Sequence, residues 1–503
     1  MKRLIFIIAL LHTTASIIAE KFTIGELTFV TISSNEVELV SADPTITTIY
    51  ISPTVTYQGV KYRITSIGDW AFSGCTSLKS LTIPNGVINI GDCAFYNCSS
   101  LTSISIPNSV INFEESVFAG CTKLSAPVYN AHCFAYMPIS FQGHYAIPNG
   151  IKQIAGAAFK GCTGLTSVTF PYGVTTIGWG AFDGCTGLTD ITIPNTVTSI
   201  DARAFENTGI YNNPINWTNG ALYMNNCLIA VNNNIVGDYY VDGNTRLIAN
   251  YAFAFCKNMT SISIPNSVTN IGKMAFYGST GITSITIPNS VTNIGSQVFY
   301  GCDNLTSICI ETGNIQYDSR YRCNAIVETK TNTLIAGCKS TIIPDGVTSI
   351  ADNAFDGCEG LTYINIPNSV NHIGNRAFFD CTDLSSIVIP NSVMSIGKEA
   401  FWNCDKLSSI IIPHGVKVIE EYVFWGCSSL SSVTIPSSVT TIEEGAFTFC
   451  TSLTSLSIPE GVISIGHEAF WTCESLTMVT IPKSVKYISE TAFPLHTRII
   501  YKD

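Results

Sequence analysis

The sequence predicts a repeat solenoid of the α/β type, and three observations support this fold class. One unit recurs with a period of 23 residues, each copy opens with a short run of alternating apolar residues, and each copy closes near a phenylalanine. A fixed period of this length is typical of solenoids, in which every unit buries its apolar face only against its neighbours. The phenylalanine column marks sixteen copies: Phe72, Phe95, Phe118, Phe159, Phe182, Phe205, Phe253, Phe276, Phe299, Phe355, Phe378, Phe401, Phe424, Phe447, Phe470 and Phe493.

The copy at residues 361–381, LTYINIPNSVNHIGNRAFFDC, shows how one unit is built. Its opening L-x-x-I-x-I run alternates apolar and polar positions and predicts a short strand. Pro367 ends that strand, because proline has no backbone donor for a ladder. Gly374 is predicted to be a turn residue that is free to take a positive φ. Phe378 then inserts the largest side chain, which needs a neighbour above and below.

This repeat resembles the BspA-like (Treponema pallidum-type) leucine-rich repeat surface protein family. The resemblance rests on L-x-x-I-x-I followed by P-x-x-V-x-x-I-G-x-x-A-F-x-x-C, and it extends over roughly residues 60–496. It implies a leucine-rich-repeat right-handed superhelix with a parallel β-sheet wall. It also implies adhesion, because members of this family are associated with binding to host matrix proteins, to other bacteria and to host cells.

The chain divides into three predicted parts. Residues 1–19 resemble a secretory signal peptide, with a basic start, an apolar run and small residues near its end, and a membrane anchor is the alternative. Residues 20–60 are predicted to form an N-terminal β-rich cap, and residues 61–503 the solenoid. No integral membrane segment is expected after cleavage of the signal peptide, so the mature chain is expected to be secreted, periplasmic or on the cell surface.

Three inserts interrupt the period, near residues 125–147, 209–240 and 311–342. The second and third each contain two short apolar runs around an Asn-rich or Thr-rich turn, which predicts a β-hairpin. Inserts in repeat proteins often lie on one face and often bind ligands. The alternative is that they only complete imperfect copies of the repeat.

Thirteen cysteines lie in one column, three residues after the phenylalanine of their copy, where Thr208, Ser279 and His496 replace them in the other copies. We interpret the column as buried free thiols that pack as small apolar groups. Among the remaining cysteines, Cys323 and Cys338 are the candidate disulfide. The chain has no C-x-x-C pair, and we expect no bound metal.

Composition and motifs exclude several classes of function. The formal net charge is −11, and the chain has no cluster of Lys and Arg of the kind that binds nucleic acid. It has no nucleophile elbow, no HExxH and no phosphate-binding glycine loop. We therefore predict that the protein is not an enzyme, that it needs no cofactor and that it has no catalytic residues.

The position after the column phenylalanine is the best candidate for ligand binding, because aromatic residues fill it in several copies. An outward-facing stripe of rings suits contact with protein or sugar, whereas the alternative is that these rings pack against neighbouring turns. The candidate residues in this column are Tyr277, Tyr300, Phe379, Trp402, Trp425 and Trp471. Tyr363, in an otherwise Ser- and Thr-rich strand face, is a further candidate. The acidic pairs Glu420–Glu421 and Glu443–Glu444 are interpreted as a surface patch rather than a calcium site.

Three functional hypotheses follow. The first is a secreted or cell-surface leucine-rich repeat protein that mediates protein–protein recognition and adhesion to host or extracellular-matrix macromolecules. The second is a glycan-binding module that uses the aromatic column. The third is a structural envelope protein without a specific ligand.

Overall fold

The computed structural model describes residues 20–502, and the chain forms two compact units. One comprises residues up to 197 together with 203–213, and the other comprises residues 198–202 together with those from 214 onward. Each unit is a β-solenoid. Residues 20–502 contain no α-helix and only two 3₁₀ segments, Pro214–Asn216 and Arg320–Arg322. The α/β label predicted from the sequence is therefore wrong, although the repeat solenoid itself is present.

Most repeats contain a first strand at the L-x-x-I-x-I run, and neighbouring first strands pair in parallel. Ser284, for example, lies opposite Ser307, one period later. The first strands are Thr48–Tyr50, Ser80–Thr82, Ser103–Ser105, Gln142–Ala146, Gly164–Thr169, Asp190–Ile191, Gly237–Tyr240, Met259–Ser263, Ser284–Ile287, Ser307–Ile310, Tyr363–Asn365, Ser386–Val388, Ser409–Ile411, Ser432–Thr434, Ser455–Ser457, Met478–Ile481 and Arg498–Tyr501. We call their outward face the strand wall.

A second, shorter strand lies before the glycine column, and these strands form separate parallel ladders in which Ile373 lies opposite Ile396. Each contains two residues. The second strands are Asn89–Ile90, Asn112–Phe113, Gln153–Ile154, Thr176–Ile177, Ser199–Ile200, Leu247–Ile248, Asn270–Ile271, Asn293–Ile294, Ser349–Ile350, His372–Ile373, Ser395–Ile396, Val418–Ile419, Thr441–Ile442, Ser464–Ile465 and Tyr487–Ile488.

Antiparallel strands begin these ladders at four places. In the second and third inserts the hairpins predicted from the sequence are present, and the later strand of each pairs in parallel with the next second strand. The first insert and the N-terminal segment follow the same plan. The strands of these regions are Lys21–Ile24, Leu27–Ser33, Glu36–Ala42, Thr54–Tyr57, Val60–Ile67, Val128–Tyr129, Cys133–Tyr136, Trp217–Thr218, Ala221–Met224, Cys227–Val231, Tyr317–Asp318, Ile326–Glu328 and Thr333–Ala336.

The phenylalanine column forms the centre of each core. Phe378 and Phe401 stack with ring centroids 5.2 Å apart and planes 3° from parallel, and Phe401 stacks on Phe424 at 5.4 Å. The first insert also supplies a ring that the column count missed. Phe134 is fully buried and stacks on Phe159 at 4.7 Å. An insert can therefore extend the core without repeating the sequence motif.

Left-handed backbone, rather than helix, surrounds each column phenylalanine. In most copies the residue two before the phenylalanine and the residue two after it both have a positive φ, as at Arg376 and Asp380 on either side of Phe378. Residues in this conformation cannot continue a right-handed helix. Tight turns therefore replace the helical side of an α/β repeat.

The glycine column has a different role from the one predicted. Gly374 does not have a positive φ; instead, a Cβ at this position would lie 2.5 Å from the backbone nitrogen of Asp352 in the preceding repeat. Gly272 meets the backbone of Asn250 in the same way. Glycine at these positions permits close approach of one repeat to the next.

Replacing Thr472 with glycine should stabilise the protein by about 1 kcal/mol, because Thr472 is a β-branched residue held at a φ of 58°. Thermal unfolding measures the effect. Thr454→Gly is the matched control, since Thr454 has no positive φ, and this exchange should destabilise. Equal effects at the two sites would contradict the assignment of strain to Thr472.

The column cysteines are free thiols and most are buried. Nine of them donate to the carbonyl of the phenylalanine one repeat earlier; the Cys427 Sγ lies 3.2 Å from the Phe401 carbonyl oxygen. Ser279 makes the same bond to Phe253. Burial raises the pKa of the Cys185 thiol to about 12, which disfavours the reactive thiolate.

Cys323 and Cys338 do not form the disulfide predicted for them. Both are free, and each thiol is directed at a carbonyl oxygen within the third insert. The Cys323 Sγ lies 3.6 Å from the Ala325 oxygen, and the Cys338 Sγ lies 3.4 Å from the Asn324 oxygen. Their place in the hairpin thus gives each sulfur a main-chain partner of its own.

Candidate functional site

Three of the six aromatic residues predicted for the column after the phenylalanine stack on one another in the last repeats. Phe379 and Trp402 have ring centroids 5.8 Å apart, and Trp402 and Trp425 have centroids 4.0 Å apart with planes at 20°. The 23-residue period places these side chains at the same point of adjacent turns, so their faces meet. We call this stack, together with Phe449 and with Trp471 two repeats further along the column, the aromatic ladder.

Two contacts at the ends of the stack were not predicted. The Arg376 guanidinium lies 3.9 Å from the centre of the Phe379 ring, a cation–π contact. Phe449 meets Trp425 edge to face at 4.9 Å. In this repeat the buried Thr448 occupies the column position, and Phe449 is the next residue. The φ of Phe449 is positive. The signal in the sequence was an aromatic residue displaced by one position, which a strict column count omits.

The ladder is neither a free surface nor a core. Phe379, Trp402 and Trp425 are half-buried, because each covers part of its neighbour, while Trp471 and Phe449 are each 39% exposed. The faces of the three stacked rings therefore pack against neighbouring turns, as the alternative interpretation of the sequence stated. The exposed parts of Phe449 and Trp471 remain open to a ligand. Tryptophan at such a position combines an apolar body with an N–H donor.

Tyr277 and Tyr300 form a second stacked pair, with ring centroids 5.2 Å apart. The Tyr300 hydroxyl donates to Asp380 over 3.0 Å, and Asp380 also accepts from the Asn403 amide. Burial, and then the nearby Asp380 carboxylate, raises the pKa of Tyr300. These bonds assign Tyr300 a structural role, as a bridge across the third insert.

Tyr363 lies on the strand wall rather than in the ladder. It is 52% exposed, and two aliphatic residues on the following strands, Val388 and Ile411, are also exposed. Elsewhere in the last seven repeats the wall consists mainly of serine and threonine. Tyr363 therefore belongs to a separate, smaller apolar patch.

Charged side chains of the same repeats form ion pairs, and one of them, Arg376, contacts the ladder at Phe379. Lys398 pairs with Glu421 at 2.9 Å, and the Arg376 Nε lies 3.5 Å from the Glu399 carboxylate. Burial raises the pKa of Glu420 and of Glu443. Within residues 20–502 no group of His, Cys, Asp or Glu side chains is arranged to hold a metal ion. The setting of the ladder is an apolar strip with a polar rim.

A family model described as a BspA-type leucine-rich repeat region, in six copies, matches the chain at residues 49–133, 128–227, 246–336, 334–427 and 372–499. No curated protein matches the chain.

Solved structures of bacterial leucine-rich repeat proteins are similar to it. A leucine-rich cell surface protein from Faecalibacterium prausnitzii is 26% identical, with a TM-score of 0.40, over 87% of this chain and 94% of that chain. A leucine-rich repeat protein from Eubacterium ventriosum is 23% identical, with a TM-score of 0.49, over 73% of this chain and 92% of that chain. A third, from Bacteroides ovatus, is 25% identical, with a TM-score of 0.29, over 96% of this chain and all of that chain.

Proposed function

Because the chain belongs to the BspA-type leucine-rich repeat family, we propose that it is a recognition protein that binds another protein through its aromatic ladder. Leucine-rich repeat proteins bind other proteins, and the repeat scaffold is typical of binding proteins rather than enzymes. The observation that supports the ladder as the site is its arrangement. Trp471 and Phe449 are exposed beside a stack of half-buried rings, and paired charges border the strip.

The ladder favours a protein ligand over a glycan. A sugar that stacks on an aromatic side chain needs a free ring face, and the 4.0 Å separation of Trp402 and Trp425 leaves none between them. Exposed ring edges within a rim of Arg, Lys and Glu resemble instead the composition of protein interfaces, where Trp and Arg are common hot-spot residues. Shape and charge therefore both point to a protein surface.

On this proposal, the protein acts outside the cell or at its surface. Residues 1–19, which lie outside the described residues, would direct export as a signal peptide. In residues 20–502, no helix has the length and hydrophobicity to cross a bilayer. Adhesion to host or matrix proteins is the form of recognition that we propose for this setting.

The proposal is tested with a triple variant, Trp402→Ala, Trp425→Ala and Trp471→Ala, on an array of matrix proteins and glycans. We expect saturable binding of the unaltered mature chain to a protein, weakened at least about thirtyfold in the variant, since loss of one hot spot costs roughly 2 kcal/mol. Surface plasmon resonance measures the dissociation constant, and circular dichroism checks the fold.

A control triple variant carries Trp70→Ala, Tyr172→Ala and Tyr487→Ala, three exposed aromatic residues outside the ladder. It should bind as the unaltered chain does. Because Trp402 and Trp425 are half-buried, the single exchange Trp471→Ala provides a second test that spares the stack. Full binding by the folded ladder variants, or equal loss in the control, would reject the ladder as the binding site.

A further inference from the structure

The second insert forms a cavity that lies outside the aromatic ladder. It has a volume of about 300 Å³ and lies between the hairpin Ala221–Met224 and Cys227–Val231 on one side and the strand Gly237–Tyr240 with its following turn on the other. This volume is at the lower end of the range of small-molecule sites. The hairpin turns through Asn225 and Asn226, both with a positive φ, so the cavity wall is held by a tight two-residue connection.

The floor of the cavity is an ordered hydrogen-bond network. The hydroxyls of Tyr223 and Tyr239 lie 3.3 Å apart, and the Asp242 backbone N–H donates to the Tyr223 oxygen over 3.2 Å. The Asp242 carboxylate in turn accepts the Asn244 backbone N–H at 2.9 Å, which fixes the turn. These contacts position polar groups before any ligand arrives.

One buried polar group at the cavity has no partner within the described chain. Thr245 is 1% exposed, yet its Oγ1 makes no hydrogen bond in residues 20–502. The side chains of Asn226 and Asn244 are exposed and also line the cavity. A buried hydroxyl without a partner lowers the stability of the fold by roughly 1–3 kcal/mol. A ligand that forms a hydrogen bond with Thr245 would remove this penalty.

The remaining lining determines the class of ligand. The Tyr240 ring is 72% exposed at the rim and offers a flat apolar face. Asp242 and the asparagine amides present adjacent donors and acceptors. No lysine or arginine within residues 20–502 lines the cavity, so nothing there attracts an anion.

We propose that this cavity binds a neutral sugar residue. The apolar face of the sugar ring lies against Tyr240, and its neighbouring hydroxyls bond to Asp242, Asn226 and Asn244. Thr245 Oγ1, at the back of the cavity, bonds to a further hydroxyl. The site gives the solenoid a glycan-binding function on an insert, separate from protein recognition at the ladder.

The test is titration of the mature chain with methyl glycosides of glucose, galactose, mannose and N-acetylglucosamine, followed by saturation-transfer NMR and calorimetry. We expect saturable binding of at least one of them. In Tyr240→Ala and in the double variant Asn226→Ala, Asn244→Ala, the dissociation constant should rise at least about tenfold, as expected for loss of a bonded group. Thr245→Val, which removes only the unpartnered hydroxyl, should weaken binding by about the same factor without lowering the melting temperature.

Tyr50→Ala is the matched control, since Tyr50 also ends a first strand and is 69% exposed. It should leave sugar binding unchanged. Absence of saturable binding to all four glycosides, unaltered affinity in the folded Tyr240 and asparagine variants, or tighter binding of the acidic sugar N-acetylneuraminic acid would overturn the inference. The ladder variant should bind the sugar normally, so failure here and failure of the protein-binding proposal are distinguishable.

Discussion

Replacing Phe401 with alanine should lower the free energy of unfolding by about 3–5 kcal/mol. Phe401 is fully buried, and both of its faces are covered, by Phe378 at 5.2 Å and by Phe424 at 5.4 Å between ring centroids. Removing the ring leaves a cavity that touches two interfaces of a solenoid in which each repeat is held only by its neighbours. Urea unfolding followed by circular dichroism measures the loss.

Phe493→Ala provides the internal control. Phe493 is 7% exposed and stacks on Phe470 at 5.1 Å, the one ring contact that the structure shows for it within residues 20–502. Its exchange should cost clearly less than that of Phe401, and it should unfold the last turn before the rest of the chain. Equal losses at the two positions would show that the column does not act as a continuous core.

The repeat was predictable because the same residue types recur at a fixed spacing in the sequence. Phe378 and Leu361 recur with their neighbours at a constant spacing, and a side chain that is buried in one copy is buried in the next. The absence of helix was not predictable in this way. Residues as different as Tyr422, Glu468 and Thr472 adopt a positive φ. The neighbouring repeats, rather than the identity of each residue, determine this left-handed backbone conformation.

The candidate sites were predictable only in part. The period brought Phe379, Trp402 and Trp425 into one stack, because equivalent positions must lie side by side. Whether their faces meet depends on side-chain torsions, which a period does not contain. The proposed sugar cavity was still harder to predict from the sequence. Tyr223 and Tyr239 are sixteen residues apart, and they meet through a hairpin geometry that has no sequence motif.

The insert regions explain this difference physically. A 23-residue copy is constrained on both sides by similar copies, so its structure follows from the pattern. The hairpin Ala221–Met224 with Cys227–Val231 begins a sheet of second strands, so a regular repeat lies on only one side of it. Its contacts therefore depend on individual residues. Features specific to this chain therefore concentrate where the repeat is interrupted.

The stability of the protein should depend on the charge of Asp356, a carboxyl group at the junction after the third insert. Asp356 is 5% exposed; one carboxylate oxygen accepts the Gln297 amide at 2.6 Å, and the other has no hydrogen-bond partner within residues 20–502. Burial raises the pKa of Asp356 to about 7, from an ordinary value of 3.8. The folded chain therefore retains a proton that the unfolded chain has already released at intermediate pH.

This difference sets the sign of the pH dependence. Below a pH of about 4 the group is protonated in both states and contributes no change; between about 4 and 7 only the folded state holds the proton, so the contribution of Asp356 to stability falls as the pH rises. The loss reaches on the order of 4 kcal/mol above pH 7 and then stays constant.

Asp356→Asn, which is neutral at every pH and can still accept from Gln297, should be more stable than the unaltered chain at pH 8 and lose this advantage near pH 4. Unfolding by urea at both pH values, with the exposed Asp345→Asn as control, measures the change. An Asp356→Asn effect that does not vary with pH would show that the buried carboxyl is not the source.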